Sequence, residues 1–497
     1  MRYLLGIDIG TSGTKTELFD EELREVASST VEYPLYQEHP LWAEQEPADW
    51  WNATVEGIRS VVAGIDAGAV AGIGLSGQMH GLVLLDSDGN VLRRSIIWCD
   101  QRTEKECREI TEIIGAERLV EITANPALTG FTASKIRWVQ NNEPEIWAKT
   151  AHILLPKDYI RFMLTGEYAS EVSDASGMQL LDVRGRCWSA EVCEKLGIDL
   201  SMLGRMYESE DVTGTVAPEV AALTGLSAEC VVVGGAGDQA ASAIGNGIVE
   251  EGLLSDTIGT SGVIFAATDS PMIDAGGRVH TFCHAVRGMW HIMSVTQGAG
   301  LSLQWYRNNF CDAERAIAVQ RGTDVYNVMT DSVRDVPAGS GGVVFLPYLM
   351  GERSPILDPN AKGVFFGITN ATTKAVMLRS VMEGITFSQR DCLEVIRELG
   401  VDAAKIRMGG GGARSDYWRQ IFADNFGCEI TTVNHSEGGA LGVAILAGVG
   451  AGIFPGVVET CRRYISDATS LSPSTKAGYE SGYAKYKSLY RALKAEF

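Results

Sequence analysis

The chain has no surplus of positive charge. It carries 63 acidic residues against 42 lysines and arginines, which gives a formal net charge of −21. Binding to nucleic acid or to an anionic membrane needs clustered basic side chains that neutralise phosphates, so we expect neither as a partner. A small polyphosphate ligand would need local compensation from a divalent metal ion, a few lysines and oriented backbone N–H groups.

Patterns typical of structural metal sites and of disulfide frameworks are also absent. None of the ten cysteines belongs to a Cys-x-x-Cys pair, and the seven histidines lack ligand-like spacing. We therefore predict free, buried thiols in a reducing cytosol. The N-terminus shows no basic segment followed by a long apolar stretch, so no export signal is expected and the predicted location is cytoplasmic.

Long hydrophobic runs are rare. Residues 438–458 form one stretch of 21 residues without a charge, long enough to suggest a membrane span. The stretch contains seven glycines and Pro455, which favours a buried helix that ends in a Gly-rich turn. The Walker A pattern, Gly-x-x-x-x-Gly-Lys followed by Ser or Thr, does not occur anywhere in the chain.

What the sequence does contain is a repeated pentapeptide. Ile-Gly-Thr-Ser-Gly stands at residues 9–13 and again at residues 258–262, each time after a short apolar run. Two such copies in a chain of 497 residues indicate an internal duplication, although two similar hairpin turns arising by chance are the alternative. The length allows two large domains, which we place at residues 1–235 and 236–497, with a structured hinge near residues 225–245.

Local patterns predict an α/β fold with mixed sheets and helices on their faces. In the first half, residues 3–9 and 15–20 form a hairpin, residues 26–31 a third strand, 47–63 a helix, and 70–75 and 82–85 two more strands. The second half repeats this outline with strands at 230–233, 253–258 and 263–267. The clearest helical periodicity covers residues 372–399.

Both repeated turns are predicted to hold phosphate groups, because glycine and small hydroxyl residues let backbone N–H groups converge on an anion. Asp8 comes directly before the first turn and would repel phosphate unless a cation lay between them. We interpret Asp8 as a Mg²⁺-side residue acting through water, and the alternative is an aspartate that accepts hydrogen bonds from the turn itself. The predicted nucleotide-binding residues of the turns are Thr11, Ser12, Gly13, Thr14, Lys15, Gly259, Thr260 and Ser261.

Asp238 is the candidate general base. It follows Gly234-Gly235-Ala236-Gly237 at a strand-to-helix junction, where small neighbours leave its carboxylate open to a ligand. A carboxylate can accept the proton of an alcohol late in phosphoryl transfer. The alternative is an N-cap aspartate for the following helix.

Two polar clusters are candidates for sugar binding. Gln78, Met79 and His80 follow a strand, and the Gln and His side chains can each donate and accept hydrogen bonds, as polyol recognition requires. Trp98 and Arg102 form a second cluster after residues 95–97, where an indole face lies beside a bidentate cation. Either cluster, taken alone, could instead be a self-satisfied loop network.

A glycine run marks a third candidate region. Gly409, Gly410, Gly411 and Gly412 follow a strand and precede a helix for which Ser415 is a plausible N-cap. Such a run more often marks close backbone packing, but here it could admit a flat adenine ring. Residues 437–442, another stretch of small residues that begins with Glu437, could wall the same pocket.

Taken together, these motifs resemble the FGGY family of carbohydrate kinases, which belongs to the actin, sugar-kinase and heat-shock ATPase superfamily. The resemblance covers nearly the whole chain. Residues 6–15 and 254–264 look like the two phosphate motifs of the family, residues 408–414 like its adenosine motif, and residues 130–138 and 363–384 carry further signatures. Within the family, residues 78–81, 97–102, 155–160, 173–177 and 345–353 resemble the subgroup that phosphorylates D-xylulose.

The resemblance implies two ribonuclease H-like domains that close on MgATP and a sugar. It also implies that Asp238 is the proton acceptor, that Met79 and His80 bind the ketose, and that Asp8 is needed for activity. The expected reaction is ATP-dependent phosphorylation of a ketopentose, D-xylulose to its 5-phosphate, with ATP and Mg²⁺ as cofactors. The expected partner is a small-molecule sugar, and a homodimer is one option for the assembly.

Two departures bear on the substrate. The residue after the predicted base is Gln239 where many members of the subgroup have Asn, and Met178 stands where Thr is frequent. Gln239 is a predicted sugar-binding residue, and either change could reshape the sugar pocket. The alternatives are a kinase for another ketose or a polyol, such as ribulose or xylitol, and a non-kinase ATPase of the same superfamily.

Overall fold

A computed structural model describes residues 1–435, 438–474 and 478–497. The first half contains fifteen strands and ten α-helices. The strands are β1 (Tyr3–Ile9), β2 (Gly13–Asp20), β3 (Glu25–Glu32), β4 (Glu44–Gln45), β5 (Val70–Gly77), β6 (Val83–Leu85), β7 (Ser95–Ile96), β8 (His152–Leu154), β9 (Ala169–Glu171), β10 (Leu181–Asp182), β11 (Cys187–Trp188), β12 (Arg205–Tyr207), β13 (Val212–Thr215), β14 (Val231–Val233) and β15 (Ala236–Gly237). The helices are α1 (Pro47–Val62), α2 (Glu104–Ile114), α3 (Ala116–Thr123), α4 (Thr132–Asn142), α5 (Pro144–Trp147), α6 (Pro156–Thr165), α7 (Val172–Ala175), α8 (Ala190–Lys195), α9 (Pro218–Thr224) and α10 (Asp238–Gly245).

The described part of the second half contains nine strands and eight α-helices. The strands are β16 (Leu254–Ile258), β17 (Gly262–Thr268), β18 (His280–Cys283), β19 (Trp290–Thr296), β20 (Val344–Leu346), β21 (Val364–Phe366), β22 (Lys405–Gly410), β23 (Glu429–Val433) and β24 (Asp467–Leu471). The helices are α11 (Ala299–Phe310), α12 (Asp312–Arg321), α13 (Val325–Ser332), α14 (Lys374–Glu398), α15 (Asp416–Phe426), α16 (Gly439–Gly450), α17 (Val457–Tyr464) and α18 (Tyr479–Leu493). Short 3₁₀ helices cover Ala67–Ala69, Ser176–Met178, Leu200–Met202, Ser340–Gly342, Gly411–Arg414 and Lys494–Glu496.

Two mixed sheets of seven strands each form the framework. The first sheet has the order β13-β14-β5-β1-β2-β3, with β15 added beside β5, and the second has the order β18-β19-β17-β16-β22-β23-β24. We call the unit built on the first sheet the N-terminal lobe and the unit built on the second the C-terminal lobe. The α/β fold with mixed sheets predicted from the sequence is confirmed.

The two lobes share one arrangement of strands around the repeated pentapeptide. In the N-terminal lobe β1 runs antiparallel to β2 and parallel to β5, and β5 runs parallel to β14. In the C-terminal lobe β16 runs antiparallel to β17 and parallel to β22, and β22 runs parallel to β23. The pentapeptide connects the equivalent hairpin in each lobe, as a duplicated unit requires.

Most local predictions are confirmed, with two additions from the structure. The strand predicted at residues 82–85 exists as β6, but it lies outside the main sheet and pairs with β8. Residues 236 and 237, which we predict at the start of the second domain, form β15 and pair with β5 of the first sheet. All ten cysteines are free thiols, as predicted, and eight are buried, but the predicted burial is wrong for the half-buried Cys99 and the exposed Cys187.

The charge-free stretch near the C-terminus forms the buried helix α16, which packs on the N-terminal lobe. A Cβ atom built on Gly6 would lie 2.0 Å from the carbonyl oxygen of Ala440, and one on Gly74 would lie 1.9 Å from that of Val443. Glycine is therefore required on β1 and β5 so that the helix backbone can approach the sheet. In the ranges 1–435, 438–474 and 478–497, no helix combines the length and the apolar character that a membrane crossing needs.

Helix α16 also crosses α10 at backbone distance. A Cβ atom built on Gly442 would lie 1.9 Å from the carbonyl oxygen of Ala241, and one on Gly245 would lie 1.9 Å from that of Gly438. Leu441, Ala444 and their neighbours join residues of β1 and α10 in one hydrophobic core cluster. This packing places the beginnings of α10 and α16 beside the first phosphate turn.

Candidate active site

The backbone carbonyl groups of the first predicted phosphate turn accept hydrogen bonds from within the protein. Gly10 N–H donates to Gly13 O at 3.0 Å, Gln45 Nε2 donates to Thr11 O at 2.7 Å, and the Tyr33 hydroxyl donates to Gly10 O at 2.5 Å. The N–H groups of Thr11 and Ser12 donate to no residue that the structure describes. Backbone N–H groups exposed in this way form an anion-binding concavity.

The second turn repeats this arrangement. Gly259 N–H donates to Ser261 O at 2.9 Å, while Gly259 O and Thr260 O accept hydrogen bonds from the start of α11. The N–H groups of Thr260 and Ser261 have no acceptor among the described residues. Each lobe therefore offers one turn whose carbonyls are occupied and whose central amides are available to an anion.

Lys15 lies directly opposite Asp8 in the β1–β2 hairpin. Its Nζ forms a 2.9 Å ion pair with Glu17, and its side chain is 27% exposed. Phosphate, the predicted partner of Lys15, would therefore compete with the Glu17 carboxylate for its ammonium group. Thr14, which we also predict to bind nucleotide, is fully buried on β2, and Gly13 begins that strand.

Asp8 and Asp238 are the two predicted catalytic carboxylates. The Ser76 hydroxyl donates to Asp8 Oδ1 at 2.7 Å. Asp238 is the first residue of α10, whose N-cap is Gly237, so the alternative in which Asp238 itself caps the helix is wrong. Burial raises the pKa of Asp238, and the Asp8 charge raises it further, to about 7, although hydrogen bonds from Gln239 oppose the shift.

The mutual repulsion of Asp8 and Asp238 favours a cation bound near them. Asp238 resists ionisation partly because Asp8 is close and negative, and a divalent metal ion would relieve that repulsion. In the described ranges, no group of three or more acidic, histidine or cysteine side chains is arranged to hold a metal ion. Mg²⁺ commonly keeps several water ligands and binds through one or two carboxylates plus substrate phosphates, which suits Asp8 as a water-mediated partner.

Gln78 supports the first phosphate turn. Its Nε2 donates to Gln45 Oε1 at 2.7 Å and to Gly10 O at 3.2 Å, and only 1% of the residue is exposed. Both amide hydrogens are thus occupied within the protein. The predicted contact of Gln78 with sugar is left to its side-chain oxygen, which has no partner among the described residues.

Met79 lies beside the start of α10, where Asp238 is the first residue. A Cβ atom built on Gly237, the residue before Asp238, would lie 3.0 Å from Met79 Cγ. Met79 forms a small apolar cluster with Phe131 from the N-terminal lobe and with Phe282 and Met293 from the C-terminal lobe. The predicted sugar-binding loop therefore lies where the lobes meet.

The protonation of His80 follows from its surroundings. Burial and the nearby Lys135 cation lower the pKa of His80 to about 3, so the ring is neutral at physiological pH. Its Nδ1 lies 2.9 Å from Gly177 O, and a carbonyl oxygen can only accept, so Nδ1 carries the hydrogen. Nε2 is then an acceptor for a substrate hydroxyl.

Trp98 and Arg102 contact different parts of the protein. Trp98 Nε1 donates to Thr11 Oγ1 at 2.9 Å, and the indole is 42% exposed beside the first turn. The Arg102 guanidinium is bound by Asp100 and Glu44 and lies over the Trp42 ring at 3.5 Å. These contacts occupy the guanidinium, and the contact of Arg102 with sugar stays a prediction.

The glycine run lies beside the second phosphate turn, because Gly409 and Gly410 of β22 pair with Thr257 and Ile258 of β16. Gly410 has a φ of 73°, and a Cβ there would meet Ile258 O at 2.5 Å. A Cβ on Gly412 would meet the Ile258 side chain at 2.6 Å, whereas Gly411 has only Ile258 O at 4.0 Å. Close packing explains Gly410 and Gly412, and Gly409 and Gly411 leave room for a flat ring.

The predicted opposite wall is described only in part. Glu437 lies outside the described residues. A Cβ atom built on Gly439, at the start of α16, would lie 3.5 Å from Asp8 Oδ2. The start of α16 therefore lies close to the first phosphate turn and to the Asp8 carboxylate.

A buried ionic group near Asp238 was not predicted from the sequence. Lys157 Nζ lies 2.8 Å from Asp158, 3.3 Å from Glu171 and 3.6 Å from Asp174, and none of these side chains is more than 1% exposed. Burial raises the pKa of Asp174 well above its usual range, and nearby acids that include Asp238 add to the shift, although Lys157 opposes it. The motifs at 155–160 and 173–177 marked these residues only as part of a resemblance.

Arg353 of the C-terminal lobe was also missed. Its charge helps to keep both His80 and His280 neutral, after the larger effect of their burial. Its guanidinium has no hydrogen-bond or ion-pair partner among the residues that the structure describes. Ser354, the next residue, donates to Val295 O at 2.9 Å, which fixes the loop against the apolar cluster that contains Met79. An unpaired arginine at this position can bind an oxygen-rich ligand.

Comparisons with known proteins agree with this geometry. Residues 3–245 match the N-terminal domain, and residues 254–451 the C-terminal domain, of the FGGY family of carbohydrate kinases. The chain belongs to this family.

Individual relatives cover nearly the whole chain. It is 38% identical to the xylulose kinase of Bacillus subtilis over 99% of this chain and 98% of that protein. It is 32% identical to the gluconokinase of the same organism over 89% of this chain and 86% of that protein. The ligand-bound xylulose kinase structure from Lactobacillus acidophilus superimposes with a TM-score of 0.93 at 28% identity, over 100% of this chain and 99% of that one.

Proposed function

We propose that this carbohydrate kinase transfers the γ-phosphoryl group of ATP to the terminal hydroxyl of a ketopentose, with D-xylulose as the first substrate and D-xylulose 5-phosphate as the product. Similarity to xylulose kinases over the full length supports the substrate. The observation that carries the mechanism is Asp238, a carboxylate with a pKa of about 7 that is close to Asp8 and follows Gly237, against which Met79 packs.

In the proposed mechanism Asp238 accepts the proton of the attacking hydroxyl, and neutral His80, whose Nε2 is an acceptor, would accept a hydrogen bond from another sugar hydroxyl. The N–H groups of Thr11 and Ser12 in one lobe, and of Thr260 and Ser261 in the other, donate to phosphate oxygens. Asp8 would hold Mg²⁺ through water, and the ion would neutralise charge on the phosphates. Closure of the lobes excludes water that would otherwise hydrolyse ATP.

A sugar acid is the second candidate substrate. The unpaired guanidinium of Arg353 beside His80 suits a carboxylate as well as a carbonyl oxygen. The similarity to a gluconokinase supports the same alternative. Met178, which stands where the subgroup often has Thr, is buried directly after residues 173–177.

Coupled measurement of ADP release over a panel of ketopentoses, hexoses, polyols and sugar acids tests the proposal. D-xylulose is expected to give the highest kcat/KM, with ATP hydrolysis in the absence of sugar lower by orders of magnitude. A higher kcat/KM for gluconate than for D-xylulose would make the sugar acid the substrate. ATP hydrolysis that is equally fast without sugar would contradict phosphoryl transfer to a sugar. A cytoplasmic location and a homodimeric assembly stay predictions.

A further inference from the structure

The segment Ser173–Gly177 is buried and connects three parts of the active site. It spans the end of α7 and the start of the following 3₁₀ helix. Ser173, Asp174, Ala175 and Ser176 are each 0% exposed. All four are closed off from solvent, so the hydroxyls of Ser173 and Ser176 act on other residues of the protein.

Ser173 fixes the residue before the proposed base. Gly237 N–H donates to Ser173 Oγ at 3.1 Å, and the Ser173 hydroxyl donates its own hydrogen to Glu171 Oε1 at 3.0 Å. Glu171 Oε2 is held in turn by Ser173 N–H at 2.7 Å and by the Ser209 hydroxyl at 3.0 Å. Because a hydroxyl has only one hydrogen, the donors and acceptors in this series of hydrogen bonds are fixed: Gly237 donates to Ser173, and Ser173 donates to Glu171. The series anchors the backbone from which Asp238 projects.

Gly177 fixes the sugar-binding histidine. Its carbonyl oxygen accepts the hydrogen bond from His80 Nδ1 and thereby assigns the tautomer in which Nε2 is an acceptor. A Cβ atom at this position would lie 2.4 Å from both Nδ1 and Cε1 of His80. Only glycine therefore allows the His80 ring to approach the carbonyl.

Ser176 connects the same segment to the C-terminal lobe. Cys283 N–H, at the end of β18, donates to Ser176 Oγ at 3.0 Å, and the Ser176 hydroxyl donates to Val172 O at 2.7 Å. The buried Lys157 lies 3.3 Å from Glu171 and 3.6 Å from Asp174, which offsets the acidic charge of the segment. The Asp174 carboxylate accepts no hydrogen bond from a described residue, but the hydroxyls of Ser173 and Ser176 are both paired, and each bond broken there would leave a buried polar group unpaired.

From these contacts we propose that Ser173–Gly177 is a positioning element with two separable tasks: Ser173 orients Asp238 for proton transfer, and Gly177 orients His80 for sugar binding. This inference rests on the proposed function. It assigns neither residue a contact with substrate, since both act through a neighbour.

Steady-state kinetics of two variants test the division of tasks, with the sugar that the wild-type enzyme uses best. Ser173→Ala removes the acceptor of Gly237 N–H, and we expect kcat to fall about 10-fold or more while the sugar KM stays within about 2-fold, because a small misplacement of the base slows the chemical step. Gly177→Ala displaces the His80 ring, and we expect the sugar KM to rise about 10-fold with a smaller change in kcat.

Ser170→Ala is the matched control. The Ser170 hydroxyl donates to Asp158 Oδ2 at 2.7 Å in the same ionic group, but it has no bond to Gly237 or His80. We expect this variant to keep both kcat and KM, with any loss confined to thermal stability. ADP binding to each variant confirms that the protein is folded.

Three results would overturn the inference: an unchanged kcat in Ser173→Ala, loss of the same parameter in both variants, or an equal effect of Ser170→Ala. If Gly177→Ala does not fold, the kcat of Ser173→Ala against the Ser170→Ala control decides alone. Failure of the proposed function is distinguishable, because then the wild-type enzyme itself phosphorylates no sugar of the panel.

Discussion

Asp8 acts on the proton affinity of Asp238. Burial raises the pKa of the Asp238 carboxyl, the charge of Asp8 raises it further, and the pKa reaches about 7. An ordinary carboxylate is a weak base, whereas one with this pKa is matched to accept a proton near neutral pH. The same repulsion makes the pair a favourable place for a cation, so one electrostatic relationship bears on both the base and the proposed metal.

The pH dependence of catalysis should report this pKa. Asp238 must be ionised to accept a proton, so kcat/KM is expected to rise with pH and to level off above a midpoint that lies at about 7 without metal and lower once Mg²⁺ relieves the repulsion by Asp8. In Asp8→Asn the like charge is gone, and the midpoint of the residual activity should move to lower pH. A wild-type midpoint below pH 5 would contradict the assignment.

Replacement of the base should separate chemistry from binding. Asp238→Asn keeps the shape of the side chain but cannot accept the proton, and we expect kcat to fall about 10²-fold or more. Binding of ATP, measured by calorimetry, should be retained, because both phosphate turns are intact. Near-normal turnover would remove Asp238 from the mechanism.

Arg353 should control sugar recognition. Arg353→Gln removes the unpaired charge beside His80, and we expect the KM of the sugar to rise about 10-fold or more with little change in the KM of ATP. The control is Arg334→Gln, which removes an arginine that is 49% exposed on the surface. Equal sugar KM values in the two variants would show that Arg353 does not contact the sugar.

The crossing of α10 and α16 should tolerate no side chain at Gly442. A Cβ atom there would lie 1.9 Å from Ala241 O, so Gly442→Ala is expected to lower the free energy of unfolding by about 1–3 kcal/mol. Gly64→Ala is the matched control, since a Cβ on Gly64 meets nothing within 4 Å. Thermal unfolding of both variants checks the prediction, and equal melting temperatures would refute it.

Asp256 should make stability depend on pH. It is 0% exposed, and burial raises its pKa well above the usual range. A carboxyl whose pKa is raised on folding stabilises the protein fully below its unfolded pKa, and this contribution is lost as pH rises toward the folded pKa. Asp256→Asn stays neutral, so its stability relative to wild type should increase between pH 5 and 8, by at most about 1.4 kcal/mol per pH unit. A stability difference that does not change with pH would contradict this.

The sequence predicted local structure well, because local structure depends on nearby residues. The hairpins around the two pentapeptides, helix α14 and the Ser415 N-cap, which accepts from Trp418 N–H, all follow from short patterns of polarity and glycine. The family followed from the same motifs.

Contacts between distant parts of the chain could not be predicted in this way. The ion pair of Arg102 with Glu44 joins two segments that are distant in sequence, and the local pattern around Trp98 gives no sign of it. The meeting of Ser173 with Gly237 depends on how two buried segments pack, and no local pattern encodes it. Side-chain type and spacing indicate chemistry, but long-range packing decides which side chains reach the site.

The position of α16 bears on how the protein is synthesised. The strands β1 and β5 leave the ribosome early, but the helix that covers their inner face begins only at Gly439. Until then the glycine-lined surface of Gly6 and Gly74 has no cover, and the N-terminal half carries an apolar surface that invites association with other nascent chains. The segment that covers the first sheet is therefore among the last to be translated. A chain that ends before Gly439 would leave β1 and β5 without this cover.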